Sequence, residues 1–499
     1  MSRPIYQTED IRRIEAAAGI EAAAGAVTPT LMVRAGEAAA ELAQQLVPER
    51  GKDVLVLAGP GNNGGDAYEA AARLKAAFLR VTVVSPADPT KLPTDASTAL
   101  SKWKAAGGEK LQAVPEAGTR RWSLVVDGLF GIGLARAPEG AYAQLIEFAN
   151  AQSCPVLALD IPSGLASDTG RALGPAVRAT HTLSFIALKP GLLTLDGPDH
   201  CGALQVAALG LDARSLLAPN GWVAEPATMH WMLKPRPREF HKGLAGALGI
   251  LGGAGGMVGA ALLAGRAALK LGAGRVYVGL LDHDAPDVDP VAPELMLRHP
   301  DDTLGQSLDA IIVGPGLGQS ERAETLVGAA LASDMPCVLD ADALNILAED
   351  NDLQSACARR RADTLMTPHP GEAARLLQTR VADVQADRLG AARTLAERLN
   401  THVVLKGNGS VLVARDGHWF INTTGNSGMA SAGMGDTLSG FLGALLAQRY
   451  SGEAALVLGV HLHGAAADAL VAQGIGPVGL TAGELIEPAR ALWNAWLKG

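Results

Sequence analysis

Four short stretches of the chain gather residue types that could do chemistry. Three lie in the first half: "GPGNNGGD" at 59–66, "DGLFGIG" at 127–133 and "DIPSG" at 160–164. Each follows an apolar run of strand type and sets a carboxylate, amide or hydroxyl beside glycines, which let a ligand approach the backbone. The first has the strand–glycine–helix layout of a phosphate loop, but two asparagines and an aspartate stand where a nucleotide loop carries Gly-Lys-Ser/Thr. A single aspartate after a strand is usually a turn or cap residue. Three clusters on the carboxyl edge of one parallel sheet point instead to a ligand site. No histidine or cysteine joins them, which argues against zinc. Asparagine amide oxygen, serine hydroxyl and one carboxylate are hard oxygen ligands for a weakly held cation, leaving Asp160 free for proton transfer.

The fourth stretch, "GNSGMASAGMGDTLSGFLGALL" at 425–446, runs through Gly433-Met434-Gly435-Asp436 into an apolar helix. Backbone N–H groups at such a helix start form an anion hole, and an aspartate there can take a proton from an attacking hydroxyl. A lone G-x-G-D would read as a turn with Asp436 as N-cap; the neighbouring segments favour chemistry. "VVLKGNGSVLVA" puts Lys406-Gly407 before a tight turn suited to a nucleotide, and "AIIVGPGLGQS" supplies a second glycine loop. "LMTPHPGEAARLL" places His369 and Glu372 between a strand and a helix, where His369 is either a ligand contact or a rigid turn residue. Asp340 and Asp342 in "VLDADALNIL" position magnesium or substrate, or form a turn. No Walker A lysine motif occurs, so this is not a P-loop enzyme.

The elements that must position these groups form two series. At 499 residues the chain is too long for one core, and 48% apolar with 19% charged residues describes a globular protein. Its net charge of −9, without a block of one sign, argues against nucleic acid or anionic membrane as partner. Cys154, Cys201, Cys337 and Cys357 are too scattered for a metal site and read as buried free thiols. The polar start and the lack of about eighteen consecutive apolar residues predict a cytoplasmic protein with no membrane span. Residues 8–46 read as helical, with an interruption near 25–29. Strands are expected at 54–57, 81–84, 124–126, 156–159 and 182–186, with helices at 67–78 and 142–151. A second series has strands at 248–251, 276–280, 310–313, 337–339, 364–366 and 403–405. Such alternation predicts two α/β domains, 1–220 and 221–499, each with a mostly parallel sheet between helical layers.

In order and spacing, the first three motifs resemble the N-terminal domain of the bifunctional NAD(P)H-hydrate repair enzymes. "FHKG", "GGMVGAALLAGRAALKLGAG", "GPGLG", "TPHPGE", "KG" and "GNSGMASAGMGD" resemble ADP- or ATP-dependent NAD(P)H-hydrate dehydratases of the ribokinase-like superfamily. The resemblance implies a Rossmann-like αβα domain that epimerises R and S hydrates of NADH and NADPH (NADHX and NADPHX). It also implies a ribokinase-like αβα domain that dehydrates the S form by phosphorylating its hydroxyl and eliminating phosphate. It assigns Asn62, Asn63, Gly64, Gly65, Asp66, Asp160 and the loop Gly131, Ile132, Gly133, Leu134, Ala135, Arg136, Ala137 to the hydrate. Asn63, Asp127 and Ser163 would bind K+, with Asp160 as acid/base. In the second domain it assigns Ala260, Gly316 (or Gly318), His369 and Asp436 to the hydrate, and Lys406, Gly407, Asn408, Gly409, Ser410 and Gly435 to the adenine nucleotide. Asp436 would be the base, with Mg2+ accompanying ADP or ATP. Ala67 and Glu69 stand where the family usually has glycine and an apolar residue. The expected assembly is a homo-oligomer. The alternative is a ribokinase-type kinase of a vitamin precursor carrying a non-catalytic N-terminal binding module, which would keep phosphate on its product.

Overall fold

The computed structural model of the chain describes residues 3–23, 29–114, 121–233 and 235–498. Two compact units emerge, Pro4–Asn220 and Gly221–Gly499, with Arg3 grouped with the second. In the first unit the strands are β1 (Asp53–Ala58), β2 (Arg80–Val84), β3 (Lys110–Leu111), β4 (Leu124–Gly128), β5 (Val156–Leu159), β6 (His181–Phe185) and β7 (Ala203–Ala207). All pair in parallel, in the order β3-β2-β1-β4-β5-β6-β7. The winding direction reverses between β1 and β4, and a crevice opens there at the carboxyl ends.

Beyond Asp53, the run "VLVLA" of β1 is apolar and buried because both its faces are covered. Val54 and Val56 pack with Leu124 and Val126 against helices Leu31–Leu46 and Asn62–Ala76. Leu55, Leu57 and Val125 pack with Leu145 and Ile146 of helix Ala141–Asn150 on the other face. Each such side chain, fully buried, contributes about 1.5–3 kcal/mol. Glu69 is buried too, and its carboxylate is paired with Lys102 of helix Thr94–Ala105.

One local reading needs correction. Asn62 to Asp66 form no loop; they are the first turn of helix Asn62–Ala76, with Gly61 at the N-cap position. The entry is so tight that a Cβ on Gly59 would lie 1.6 Å from the Leu129 carbonyl oxygen, and one on Gly64 would lie 2.1 Å from that of Gly59. Glycine is required here by close backbone approach.

The second unit carries β8 (Gly221–Ala224), β9 (Ala247–Gly252), β10 (Arg275–Leu280), β11 (Met296–Arg298), β12 (Ala310–Val313), β13 (Cys337–Leu339), β14 (Thr364–Met366), β15 (His402–Leu405), β16 (Val411–Val413) and β17 (Trp419–Asn422). They lie in the order β8-β17-β16-β15-β14-β13-β12-β9-β10-β11. Pairing is parallel except at β15–β16 and β16–β17. Helices Val258–Lys270 and Met434–Ala447 pack closely, since a Cβ on Gly440 would lie 2.3 Å from the Ala264 carbonyl oxygen. Helix Gly452–Ala472 is long and apolar enough to cross a membrane by length and composition alone, but Glu453 and Asp468 interrupt it and 72% of its apolar window is buried, as befits a core helix. Cys201, Cys337 and Cys357 are buried, and no cysteine among the described residues is paired.

The tight entry gives a clean contrast. Gly59→Ala should lower the urea-denaturation stability of the first unit by about 2–4 kcal/mol, because the atoms met are backbone and cannot yield. Gly61→Ala, with nothing within 4 Å of the added carbon, should stay within about 0.5 kcal/mol of the parent.

Candidate active sites

At the β1–β4 crevice the strand ends wall a cavity of about 740 Å³ lined by Asn62, Asn63, Asp66, Gly131–Arg136, Asp160 and Phe185, among others. Ladder register sets Asp127 opposite Leu57 on one side and Ala158 on the other. Asp127 is wholly buried. Its Oδ1 accepts from the Ser163 hydroxyl (2.6 Å) and Leu129 N–H (3.2 Å), and its Oδ2 from Ser163 N–H (2.9 Å). Burial still pushes its carboxyl up to about 6. Asn63 donates through Nδ2 to the Leu159 carbonyl (3.2 Å), while its buried Oδ1 has no hydrogen-bond partner. Leaving a buried acceptor unsatisfied costs about 1–3 kcal/mol.

Asp160 follows β5 with φ 66°, a left-handed conformation that aspartate tolerates better than most residues. Its Oδ1 accepts from the Lys189 ammonium and from Phe185 N–H at 3.4 Å. Lys189 is wholly buried and also donates to Ser184 Oγ (2.9 Å) and the Phe185 carbonyl (2.7 Å). A buried ammonium needs such a full shell of acceptors. Across the cavity mouth, burial and the charges of Asp160 and Glu15 hold the Asp66 carboxyl well above the usual range. The site therefore combines an ion-paired carboxylate with a neighbour biased toward its protonated form, an arrangement suited to proton transfer.

In the second unit, register aligns Val313, Leu339, Met366 and Val403 across β12–β15, so the residues that follow them share one edge. Asp340 is 1% exposed. Its Oδ1 accepts from Thr367 Oγ1 (2.5 Å) and Lys406 Nζ (3.2 Å), and its Oδ2 from Ser439 Oγ (2.8 Å). Burial opposes its charge, but Lys406 and the two hydroxyls outweigh burial and hold the carboxyl below its usual range. Because Ser439 belongs to helix Met434–Ala447, this bond ties the helix to the strand edge.

That helix begins at Gly433, φ 84°, which occupies the N-cap position with no side-chain cap. Asp436 is therefore not the N-cap. Burial, then repulsion from Asp340, pushes its carboxyl up to about 7 despite Lys406. A Cβ on Gly435 would lie 3.4 Å from Lys406 Nζ and 3.6 Å from Asp340 Oδ2, so the helix start and the ion pair meet. Open backbone N–H groups, a lysine and a near-neutral aspartate can receive an anion and take a proton beside it.

His369 turns out to cap helix Pro370–Leu377. Its Nδ1 accepts from Gly371 N–H (2.9 Å) and Glu372 N–H (3.4 Å), while Glu372 Oε2 accepts from His369 N–H (2.7 Å). Burial and the Lys406 charge keep its imidazole below the usual range. Beneath the Lys406–Ser410 turn lies Arg388, 2% exposed, donating to the carbonyls of Leu405 (3.1 Å) and Asn408 (3.2 Å), with its Nε unpartnered. Burial pushes its guanidinium down to about 10.

Some expected contacts do not face the first cavity. Gly64 and Gly65 are packing glycines, against Gly59 and Met32, and Ala137 packs on Gly174. Gly316 (φ 58°) sits against Met257 and Ala260, and Gly318 N–H donates to Asp342 Oδ2 at 2.8 Å. Asp342 thus holds the Gly318 loop. Lys189, Thr367, Arg388 and Ser439 were not singled out from sequence. A lone lysine in "LSFIALKPGLLTL" could have been, since a charge inside an apolar run demands a partner; Arg388, on an ordinary polar helix, gives no such signal.

Residues 28–191 match the family described as YjeF-related protein N-terminus, and residues 248–488 match NAD(P)H-hydrate dehydratase. The chain is 40% identical over 504 residues to the bifunctional NAD(P)H-hydrate repair enzyme Nnr of Escherichia coli (strain K12), across 98% of this chain and 94% of that one. The enzyme of the same name from Coxiella burnetii is 38% identical over 500 residues, covering 98% and 99%. A solved ADP/ATP-dependent NAD(P)H-hydrate dehydratase from Bacillus subtilis, co-crystallized with ATP and Mg2+, superposes with TM-score 0.50 and 32% identity over 55% of this chain and 98% of its own.

The Lys189–Asp160 pair predicts strong coupling. Lys189→Met alone should destabilise the first unit by about 3–5 kcal/mol, because it leaves a buried carboxylate unpaired. Asp160→Asn/Lys189→Met should recover part of that loss in a double-mutant cycle followed by urea denaturation.

Proposed function

The chain belongs to the bifunctional NAD(P)H-hydrate repair enzymes, and from this we propose how its own residues divide the work. The N-terminal unit epimerises R and S NAD(P)HX. The C-terminal unit dehydrates the S form to NAD(P)H with an adenine nucleotide. Hydroxide is a poor leaving group and phosphate a good one, so the hydrate hydroxyl is first phosphorylated and phosphate is then eliminated.

The observation that carries the dehydratase reading is Asp436, pushed up to about 7 beside Lys406 at an uncapped helix start. In its ionised form Asp436 takes the hydroxyl proton as the γ- or β-phosphoryl group is attacked. The Gly433–Gly435 amides receive charge developing on phosphate. Lys406, held by Asp340, sits beside them, and the Lys406–Ser410 turn takes the nucleotide. Mg2+ would accompany the nucleotide and neutralise charge on its phosphates. We favour ADP as the donor.

In the N-terminal unit Asp160 is the acid/base, poised by Lys189. K+ fits at Asn63, Asp127 and Ser163, because the buried Asn63 Oδ1 lacks a partner and a wholly buried carboxylate lies in the same cluster. The cation would supply positive charge to that cluster when bound.

Incubating separated R and S hydrates with ADP or ATP, and following NADH absorbance, tests the reading. Asp436→Asn should abolish dehydration, whereas Asp160→Asn should leave only the S form consumed. Failure of both hydrates with both nucleotides defeats the assignment. Since Asp436 must be ionised to accept a proton, kcat/KM for dehydration should rise about tenfold per pH unit below about 7 and level off above it. For the cation, replacing LiCl with KCl should raise the melting temperature of the parent chain, and Asp127→Asn should remove that increment.

A further inference from the structure

Strand ends form one wall of the 740 Å³ cavity; helix Thr8–Ala23 forms another, through Ile11, Arg12 and Glu15. Hydrogen bonds at its start anchor that helix. Tyr6 N–H donates to the Leu188 carbonyl (2.9 Å), the Tyr6 hydroxyl to that of Leu217 (2.9 Å), and Thr8 N–H to Asp168 (2.7 Å). Ile11 and Ile14 are buried beneath it. Helical spacing then puts Glu15, one turn beyond Ile11, at the border of the buried face where the cavity opens. Leu188, which anchors the helix, immediately precedes Lys189, which holds Asp160. No hydrogen bond or ion pair among the described residues engages the Glu15 carboxylate. Glu15 is solvent-exposed as a whole, yet desolvation of its carboxyl on the cavity side and the Asp160 charge raise that carboxyl, against the opposing pull of Lys189 and Arg12. Asp66 faces the same cavity from the sheet side.

The reaction asks for a group in this place. Hydration of an enamine leaves the hydroxyl on the carbon bonded to nitrogen, since protonation of the outer carbon makes the inner one an iminium centre. Inverting that carbon reverses the addition and repeats it on the other face. The nitrogen lone pair forms C=N as the C–O bond breaks, and a carboxylic acid gives its proton to the departing oxygen, releasing water. Water then adds to the opposite face of the planar cation and loses a proton to a carboxylate there. Atoms and charges balance, and no oxidant or reductant is needed. One carboxyl group on one wall serves only one face.

We propose that Glu15 is the second catalytic residue of epimerisation, serving the ring face turned away from Asp160. This rests on the epimerase reading of the N-terminal unit.

The test uses the full chain, pure R hydrate and no nucleotide, with R and S separated by chromatography and the reaction run in 18O-labelled water. Glu15→Gln should slow interconversion by about 100-fold or more with hydrate KM changed less than about threefold. Uptake of label into the hydrate should fall in parallel, and Glu15→Asp should restore part of both. Nucleotide-dependent dehydration of the S hydrate by the same Glu15→Gln chain should continue at the parent rate. Interconversion at the parent rate by Glu15→Gln, or inversion without label uptake, overturns the proposal; so does a loss expressed wholly in KM, which marks a binding role. If the parent chain itself does not interconvert R and S, it is the epimerase reading that fails.

Discussion

Parallel pairing is the constraint on which both sites depend. A parallel ladder ends all its strands at one edge, so residues just beyond the last bonded pair are brought together whatever their separation in the chain. Asp127 is level with Leu57 and Ala158, and Asp160 lies two residues beyond Ala158. In the second unit Leu339, Met366 and Val403 are level, which delivers Asp340, Thr367 and Lys406 to one cluster. A slip of one residue in any strand would turn its terminal side chain to the opposite face. The continuous apolar runs that fill both faces hold the sheets in place, so the chemistry at the edge is paid for by core packing.

Charge is handled in a related way at the two edges. Each site buries one carboxylate with one lysine, Asp160 with Lys189 and Asp340 with Lys406. Each then leaves a second carboxyl nearby whose ionisation is opposed by burial and by the first, Asp66 and Asp436. At the second edge the paired Asp340 is held below the usual carboxylate range and Asp436 is pushed above it, which is what a site needs to keep distinct acid and base roles. The first unit adds neutral donors, the Asn63 amide and the Ser163 hydroxyl, where the second adds open helix N–H groups. One set of donors suits a cation and the other an anion.

Much of this was legible from residue order. The central strands announced themselves because strands buried on both faces are dominated by apolar residues, and the edge glycine motifs followed them. What escaped was either marginal or non-local. Lys110–Leu111 is two residues long, and Ala203–Ala207 is an edge strand with exposed positions, so neither has an apolar signature. Asn62–Asp66 read as loop because paired glycines weaken a helix, whereas here they allow it to lie against the chain at Gly59 and Met32. Lys189 and Arg388 are cations whose partners are fixed only by tertiary structure. The Thr8–Ala23 helix was expected, but which of its residues would look into the cavity depended on anchors as distant as Leu217.

The capping role of His369 also fixes which of its ring nitrogens carries the proton. Its Nδ1 lone pair is committed to the N–H groups of Gly371 and Glu372, so the proton of the neutral imidazole resides on Nε2. Taking up a second proton would release the helix start and place a cation near Lys406, and its depressed basicity accords with this. Flanked by two prolines, the imidazole is held in one orientation, with its Nε2 3.3 Å from Glu372 Oε1, a compass needle among ions.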